Sequence, residues 1–224
     1  MRRVVVQTAL TLAVMGAILF LAAGDWLWLQ AWVWLVVLAL GSIAISVWLL
    51  RHDPGLLESR MSLPWHRDQM RWDRFFILAA IVVFVGWLAL MGLDAQRMRW
   101  SVVPLPVEVF GGVLAALGLM ATWQVFRFNS FAAPQVRVQT ERAHRVVSDG
   151  PYRIVRHPMY AGMILWLGGT PLLLGSWWGL AVALLMVVGL GFRAVGEEQM
   201  LRQKLTGYDA YARRVRWRLV PGIW

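Results

Sequence analysis

Four stretches of this chain run apolar for too long to belong to a water-soluble fold. Residues 4–23, 27–50 and 75–93 contain no Asp, Glu, Lys or Arg, and 107–126 contains only Glu108. Each approaches the ~20 residues that an α-helix, rising ~1.5 Å per residue, needs to cross ~30 Å of hydrocarbon. Two shorter runs, 159–174 and 177–192, are split by Gly175-Ser176. At that rise each covers only about 24 Å. They are expected to form a tight hairpin that stops short of crossing or sits in a locally thinned bilayer. The expected fold is all-α: a polytopic integral membrane helix bundle of about six membrane segments, the last two a short helical hairpin. Composition agrees, with 59% apolar and 15% charged residues against ~45–50% and ~25% in soluble domains.

The charges orient this bundle. With the N-terminus inside and the segments alternating, all but two of the 22 basic residues fall in inside segments. The exceptions are Arg97 and Arg99. This positive-inside bias predicts that both termini are cytoplasmic. Trp26, Trp28, Trp100, Trp177 and Trp178 fall at the expected outer boundaries, as an aromatic belt would. Arg2-Arg3 before an apolar run also has the outline of a cleaved leader. The run exceeds the usual ~7–15 apolar residues of one, so it is read as a retained segment. The expected division is a four-helix membrane region over 1–126, with a cytoplasmic loop at 51–74, and a region over 127–224 that holds the chemistry. Within the loop, Asp53-Pro54-Gly55 signals a turn, and the stretch from Leu56 to Met61 is expected as a short helix on the membrane surface.

With no cysteine, thiolate nucleophiles and Cys-based zinc or iron–sulfur sites are excluded. No strand–Gly-rich-loop–helix unit appears, which excludes a soluble Rossmann enzyme. The net charge of +10 is spread over every inside loop, which argues against a nucleic-acid partner. Polar chemistry concentrates in two places. Pro158 suits the first turn of the fifth segment, placing His157 at its N-terminus, where helix N–H groups favour an anion. Arg153 and Arg156 add positive charge, and Tyr160 and Gly162 a ring and a close-approach surface. Such a foot can hold a nucleotide-like cofactor, or it can simply anchor the helix at the headgroups. At the end of the sixth segment, Arg193 and Glu197 share a helix face, either as an intrahelical ion pair or as working groups. Glu198 points elsewhere. Two segments joined by two residues run antiparallel, so residues 157–162 and 193–198 should be neighbours. The basic, aromatic tail over 207–215 reads as a surface helix on anionic headgroups, or as a lid over the site.

The elements Gly150-Pro151-Tyr152, Arg156-His157-Pro158-x-Tyr160-x-Gly162, Arg193-x-x-x-Glu197-Glu198 and Gly207-Tyr208-x-x-Tyr211-x-x-x-Val215 together resemble the isoprenylcysteine carboxyl methyltransferase family over about residues 129–220. Asn129-Ser130-Phe131, the stretch from Val136 to Gln139, and Asp53-Pro54-Gly55-Leu56-Leu57 are similar to its bacterial branch. The resemblance implies an integral membrane methyltransferase, in a bacterial inner membrane, using S-adenosyl-L-methionine in a cytoplasm-facing pocket. It implies a lipidic acceptor that enters from the bilayer, and no metal. Cofactor contacts are implied for Gln139, His144, Arg145, Val146, Val147, Tyr152, His157, Pro158, Met159, Tyr160, Glu197 and Glu198. Arg193 and Glu197 are the implied catalytic pair, with Arg193 on the substrate carboxylate. Sterol reductases share Arg-His-Pro-x-Tyr but carry Asn and Glu where this chain has Met159 and Met163. Phospholipid N-methyltransferases share the Arg-His-Pro and Glu-Glu elements.

The expected reaction is in-line methyl transfer to the carboxylate of a lipidic or small apolar acceptor. A carboxylate with a reference pKa near ~3.5 is already ionised at neutral pH and needs a cation, such as Arg193, rather than a base. An amine acceptor must lose a proton and so requires a base such as Glu197 or Glu198. Phospholipid N-methylation, S-methylation of a small thiol, and a non-enzymatic scaffold binding membrane lipids are the alternatives.

Overall fold

The computed structural model describes residues 2–62 and 69–224. The rest of the loop expected at 51–74, including Arg67, lies outside the described residues. Four long helices match the four long apolar runs: α1 (Arg2–Ala23), α2 (Leu29–His52), α4 (Arg71–Gly92) and α5 (Leu105–Phe128). A short α3 (Pro54–Met61) follows α2, and α4 ends in a π-helical turn, Leu93–Arg97. The hairpin consists of α6 (Pro158–Leu173) and α7 (Trp177–Lys204), and α8 (Tyr208–Arg214) closes the helical part of the chain. By length and composition, α1, α2, the α4 unit over Arg71–Arg97, α5 and α7 are long and apolar enough to cross a membrane. The chain is thus an integral membrane helix bundle.

The hairpin is asymmetric. The run of 177–192 predicts a helix as short as its partner, but α7 has 28 residues against 16 in α6. Its apolar part stops near Phe192, whereas nothing in the following residues breaks a helix, so α7 continues for three more turns. Ser176 starts it, its hydroxyl accepting the Gly179 N–H at 2.8 Å.

Short α6 is held by backbone-to-backbone packing on α5. A Cβ on Gly111 would lie 2.5 Å from the Leu173 nitrogen, one on Gly118 2.7 Å from that of Trp166, and one on Gly169 2.5 Å from that of Ala115. Apolar side chains gain nothing over lipid tails inside a bilayer, so close approach through small residues is what joins such helices.

Two sequence expectations change at the ends of the bundle. Trp28 is buried in the core rather than belonging to a boundary belt; Trp26, Trp100, Trp177 and Trp178 are exposed. The Asp53-Pro54 turn is the start of α3 itself, with the Asp53 carboxylate accepting the Leu56 N–H at 2.9 Å. Leu56 and Leu57 are buried against Val125 and Phe126, so α3 docks on α5 instead of floating on the headgroups. At the end away from the basic loops, buried Asp94 ties the bundle together. One of its oxygens accepts from the Ser101 and Ser176 hydroxyls at 2.7 and 2.5 Å.

Candidate active site

At the basic end, residues 129–157 leave α5 and fold back over the feet of α6 and α7. Pro158 is the first residue of α6, with His157 as its N-cap. The chain after α8 runs beside residues 155–157, and the Arg156 and His157 N–H groups donate to the Trp217 and Arg218 carbonyls, both at 2.9 Å. Backbone groups that a helix start leaves unpaired are thereby satisfied.

The two feet meet as the antiparallel hairpin requires. The Tyr160 hydroxyl donates to Glu197 Oε2 at 2.7 Å, and His157 Nε2 lies 3.2 Å from Glu198 Oε1. The His157 and Tyr160 rings stack 5.4 Å apart. The feet thus form one wall of a cavity that loop 129–147 and α8 complete.

The second wall includes His144, Arg145, Val146, Val147 and Tyr152. His144 stacks on Phe131 at 4.3 Å and accepts the Gln139 N–H through Nδ1 at 3.3 Å. Burial pulls its imidazole down to about 4, so it is neutral at pH 7. Tyr152 accepts the Asn129 amide at 2.6 Å, and its carbonyl accepts the Tyr211 hydroxyl at 2.9 Å. Burial pushes the Tyr152 hydroxyl above its ordinary value.

Arg193 and Glu197, one helical turn apart, do not pair with each other. Glu197 takes the Tyr160 hydroxyl, and Arg193 Nε donates to Asp73 Oδ1 on α4 at 3.0 Å. Arg193 Nη2 also donates to the Pro134 carbonyl at 2.5 Å, and the guanidinium faces the Phe76 and Tyr160 rings. Asp73 is fully buried, and its other oxygen accepts from Gln69 and the Val136 N–H at 2.8 and 2.9 Å. One carboxylate therefore locks α4, α7 and the loop wall together, and it fixes Arg193 at the edge of the cavity that it lines.

Ten of the sequence-implied residues line this cavity: His144, Arg145, Val146, Val147, Tyr152, His157, Met159, Tyr160, Arg193 and Glu197. Gln139, Pro158 and Glu198 lie behind it. Buried Gln139 ties the loop together, donating to the Phe131 carbonyl at 2.8 Å and accepting from Arg142 at 3.0 Å. Glu198 is a clamp: it accepts Arg156 Nε at 2.6 Å and Arg218 Nε at 3.2 Å, besides its contact with His157. Arg153 turns outward to Asp149. The tail helix buries Tyr208, Tyr211 and Ala212, with the two tyrosines over the cavity, and exposes Arg213 and Arg214 on its other face. Asp73, which anchors Arg193, and Tyr208, which lines the cavity with a hydroxyl that has no hydrogen-bond partner among the described residues, are not among the sequence-implied site residues. The spacing Gly207-Tyr208-x-x-Tyr211 was the available signal for Tyr208.

A family model described as phospholipid methyltransferase matches residues 107–206, the segment from α5 through α7. A protein-S-isoprenylcysteine O-methyltransferase B from Arabidopsis thaliana is 36% identical over 149 residues, covering 64% of this chain and 72% of that protein. A probable protein-S-isoprenylcysteine O-methyltransferase from rice (Oryza sativa subsp. indica) is 30% identical over 118 residues, covering 51% and 58%. The Schizosaccharomyces pombe protein-S-isoprenylcysteine O-methyltransferase is 28% identical over 140 residues, covering 54% and 58%. The chain thus spans somewhat more than half the length of the last two. With the family-model match lying on α5, the loop and the hairpin, and the Arabidopsis thaliana relative matched over 72% of its length, the chain belongs to the isoprenylcysteine carboxyl methyltransferase family of integral membrane methyltransferases.

Proposed function

We propose that this protein transfers the methyl group of S-adenosyl-L-methionine to the carboxylate of a lipidic or small apolar acceptor, at the cytoplasmic face of a bacterial inner membrane. The positive-inside distribution supports a cytoplasmic cavity and cytoplasmic termini. One observation supports the acceptor assignment: Arg193, held through Nε by Asp73 and through Nη2 by the Pro134 carbonyl, lines the cavity shared by Glu197, Tyr160 and His157.

The residues fit the cofactor. The Tyr208 hydroxyl is buried without a hydrogen-bond partner among the described residues, and Glu197 Oε1 is not used by the Tyr160 bond. A cationic sulfonium suits a wall of tyrosine faces and a carboxylate, and neutral His144 adds no opposing charge. Bound there, S-adenosyl-L-methionine supplies an electrophilic methyl group on positively charged sulfur.

The chain's own residues do the remaining work. Arg193 holds the ionised acceptor carboxylate through Nη1, the nitrogen that neither Asp73 nor Pro134 engages. No base is needed, because that group is already deprotonated. Tyr208, Tyr211 and the loop over 131–147 cover the cavity and keep water from competing as acceptor. Fixing both partners in line supplies up to ~7–11 kcal/mol of the barrier. The match to a phospholipid methyltransferase model favours a second reading, N-methylation of an aminophospholipid with Glu197 as base. Incubation with methyl-labelled cofactor, a farnesylated cysteine derivative and phosphatidylethanolamine separates the two. Label on the farnesyl compound that alkali releases as methanol supports ester formation. Alkali-stable label on the phospholipid alone overturns it.

A further inference from the structure

The active-site cavity leaves one half-buried cation unexplained. Arg60, in the last turn of α3, donates Nη1 to the Ala132 carbonyl at 2.7 Å and lies 4.4 Å over the Phe126 ring. Among the described residues no carboxylate pairs with it. Burial lowers its pKa only to about 10, so it stays charged. It closes one end of a groove of about 410 Å³ between α1, α2 and α5.

The groove changes character along its length. At its rim sits Arg60, and Val4, two residues from Arg2 and next to Arg3, lines it as well. Next come Gln7, Thr8, Thr11, Ser42, Ser46 and Thr122, all within the basic-end half of their helices. Apolar side chains, among them Leu12, Ile45, Leu49, Leu57 and Phe126, line the groove between these groups, and toward the middle of the bundle only apolar ones remain, Met15, Leu38 and Leu119. A cation, then a rung of hydroxyl and amide groups, then an apolar floor, repeats the order of parts in a glycerophospholipid: phosphate, ester linkages, acyl chain. Thr11 and Thr122 donate to the Gln7 and Gly118 carbonyls at 2.9 and 3.0 Å; Gln7, Thr8, Ser42 and Ser46 keep side-chain donors facing lipid, which are costly without partners, and ester carbonyls supply acceptors for them. A prenyl chain has nothing for that rung to bond.

We infer that this groove binds one glycerophospholipid of the inner leaflet, its phosphate on Arg60 and an acyl chain along α1, α2 and α5, at a site separate from the methyl-transfer cavity. Arg60 also holds Ala132, which lines that cavity, so the lipid would brace the loop wall of the active site. The inference does not depend on which acceptor is methylated.

Native mass spectrometry of the full chain in mild detergent tests this, with phosphatidylglycerol and diacylglycerol as probes. The wild type should retain one phosphatidylglycerol at least tenfold more tightly than diacylglycerol, which lacks only the phosphate-bearing head. Arg60→Gln should abolish that preference. Because Arg60 also anchors Ala132, a second variant, Ser42→Leu with Ser46→Leu, fills the groove and leaves that anchor intact. It should lower binding of both probes by at least tenfold. Equal retention of both probes by the wild type, unchanged binding in the groove-filled variant, or one-for-one displacement by a farnesylated cysteine derivative would overturn the assignment.

Discussion

Arg193 on α7 and Asp73 in the first turn of α4 form a buried ion pair, Nε to Oδ1 at 3.0 Å, that joins the membrane bundle to the methyl-transfer cavity. Asp73 has 0% exposure, so its charge has no solvent to fall back on. Removing one partner of such a pair typically costs 3–5 kcal/mol. Asp73→Asn keeps the shape and the contact with the Val136 N–H but removes the countercharge. A melting point lowered by several degrees in detergent is expected, with a rise in KM for the acceptor larger than any change in cofactor affinity. An unchanged KM would detach Asp73 from acceptor binding.

Tyr208 tests the cofactor side. Its hydroxyl has no hydrogen-bond partner among the described residues, so Tyr208→Phe removes no bond seen there and should leave thermal stability unchanged or slightly raised. If that hydroxyl meets the cofactor, the loss of one hydrogen bond, ~0.5–1.5 kcal/mol, weakens S-adenosylhomocysteine binding several-fold. Calorimetric titration of wild type and variant reads the difference directly.

The pH dependence of the loop wall follows from His144. Burial lowers its pKa from its ordinary ~6.5 to about 4. Between these values the unfolded chain binds a proton that the folded protein does not, so stability falls as pH drops through that window. Above about 6.5 the contribution is complete. Melting temperatures between pH 7 and 4.5 should decline less steeply in His144→Phe, which keeps an aromatic ring beside Phe131 but cannot titrate. Parallel slopes in the two proteins would remove His144 from the account.

Packing of α5 on α6 sets the height of the His157 foot. At Gly169 a Cβ would sit 2.5 Å from both the Ala115 nitrogen and the Gly111 carbonyl oxygen, which are backbone atoms that cannot move aside. Gly169→Ala should therefore cost about 1–3 kcal/mol or more and lower methyl transfer by displacing α6. Gly168→Ala is the control, since nothing lies within 4 Å of its Cβ.

Much of this architecture is legible in the sequence because it rests on length and spacing. The two-residue link between short apolar runs forces the feet of α6 and α7 together, which is why Tyr160 and Glu197 meet at 2.7 Å. Family spacing carried Tyr152, His157 and Arg193 to the cavity. What stays hidden depends on distant partners. Asp73 looks like an ordinary first-turn helix carboxylate, and its partner is 120 residues away. Glu198 and Gln139 sit in the recognisable motifs yet brace the walls from behind, because a motif does not distinguish a residue that faces a ligand from one that holds its neighbour. The length of α7 escaped hydropathy, since polar turns after Phe192 continue the helix after the apolar run ends.

The central claim is that Arg193 binds the carboxylate to be methylated, and Arg193→Ala tests it most directly. The measurement is the rate of transfer to a farnesylated cysteine carboxylate and to an aminophospholipid, with S-adenosylhomocysteine affinity measured on the same preparation. We predict a fall of at least a hundredfold in kcat/KM for the carboxylate, while cofactor affinity stays within a few-fold of wild type. Carboxylate transfer at the wild-type rate, or abolished transfer to the amine lipid alone, would contradict it.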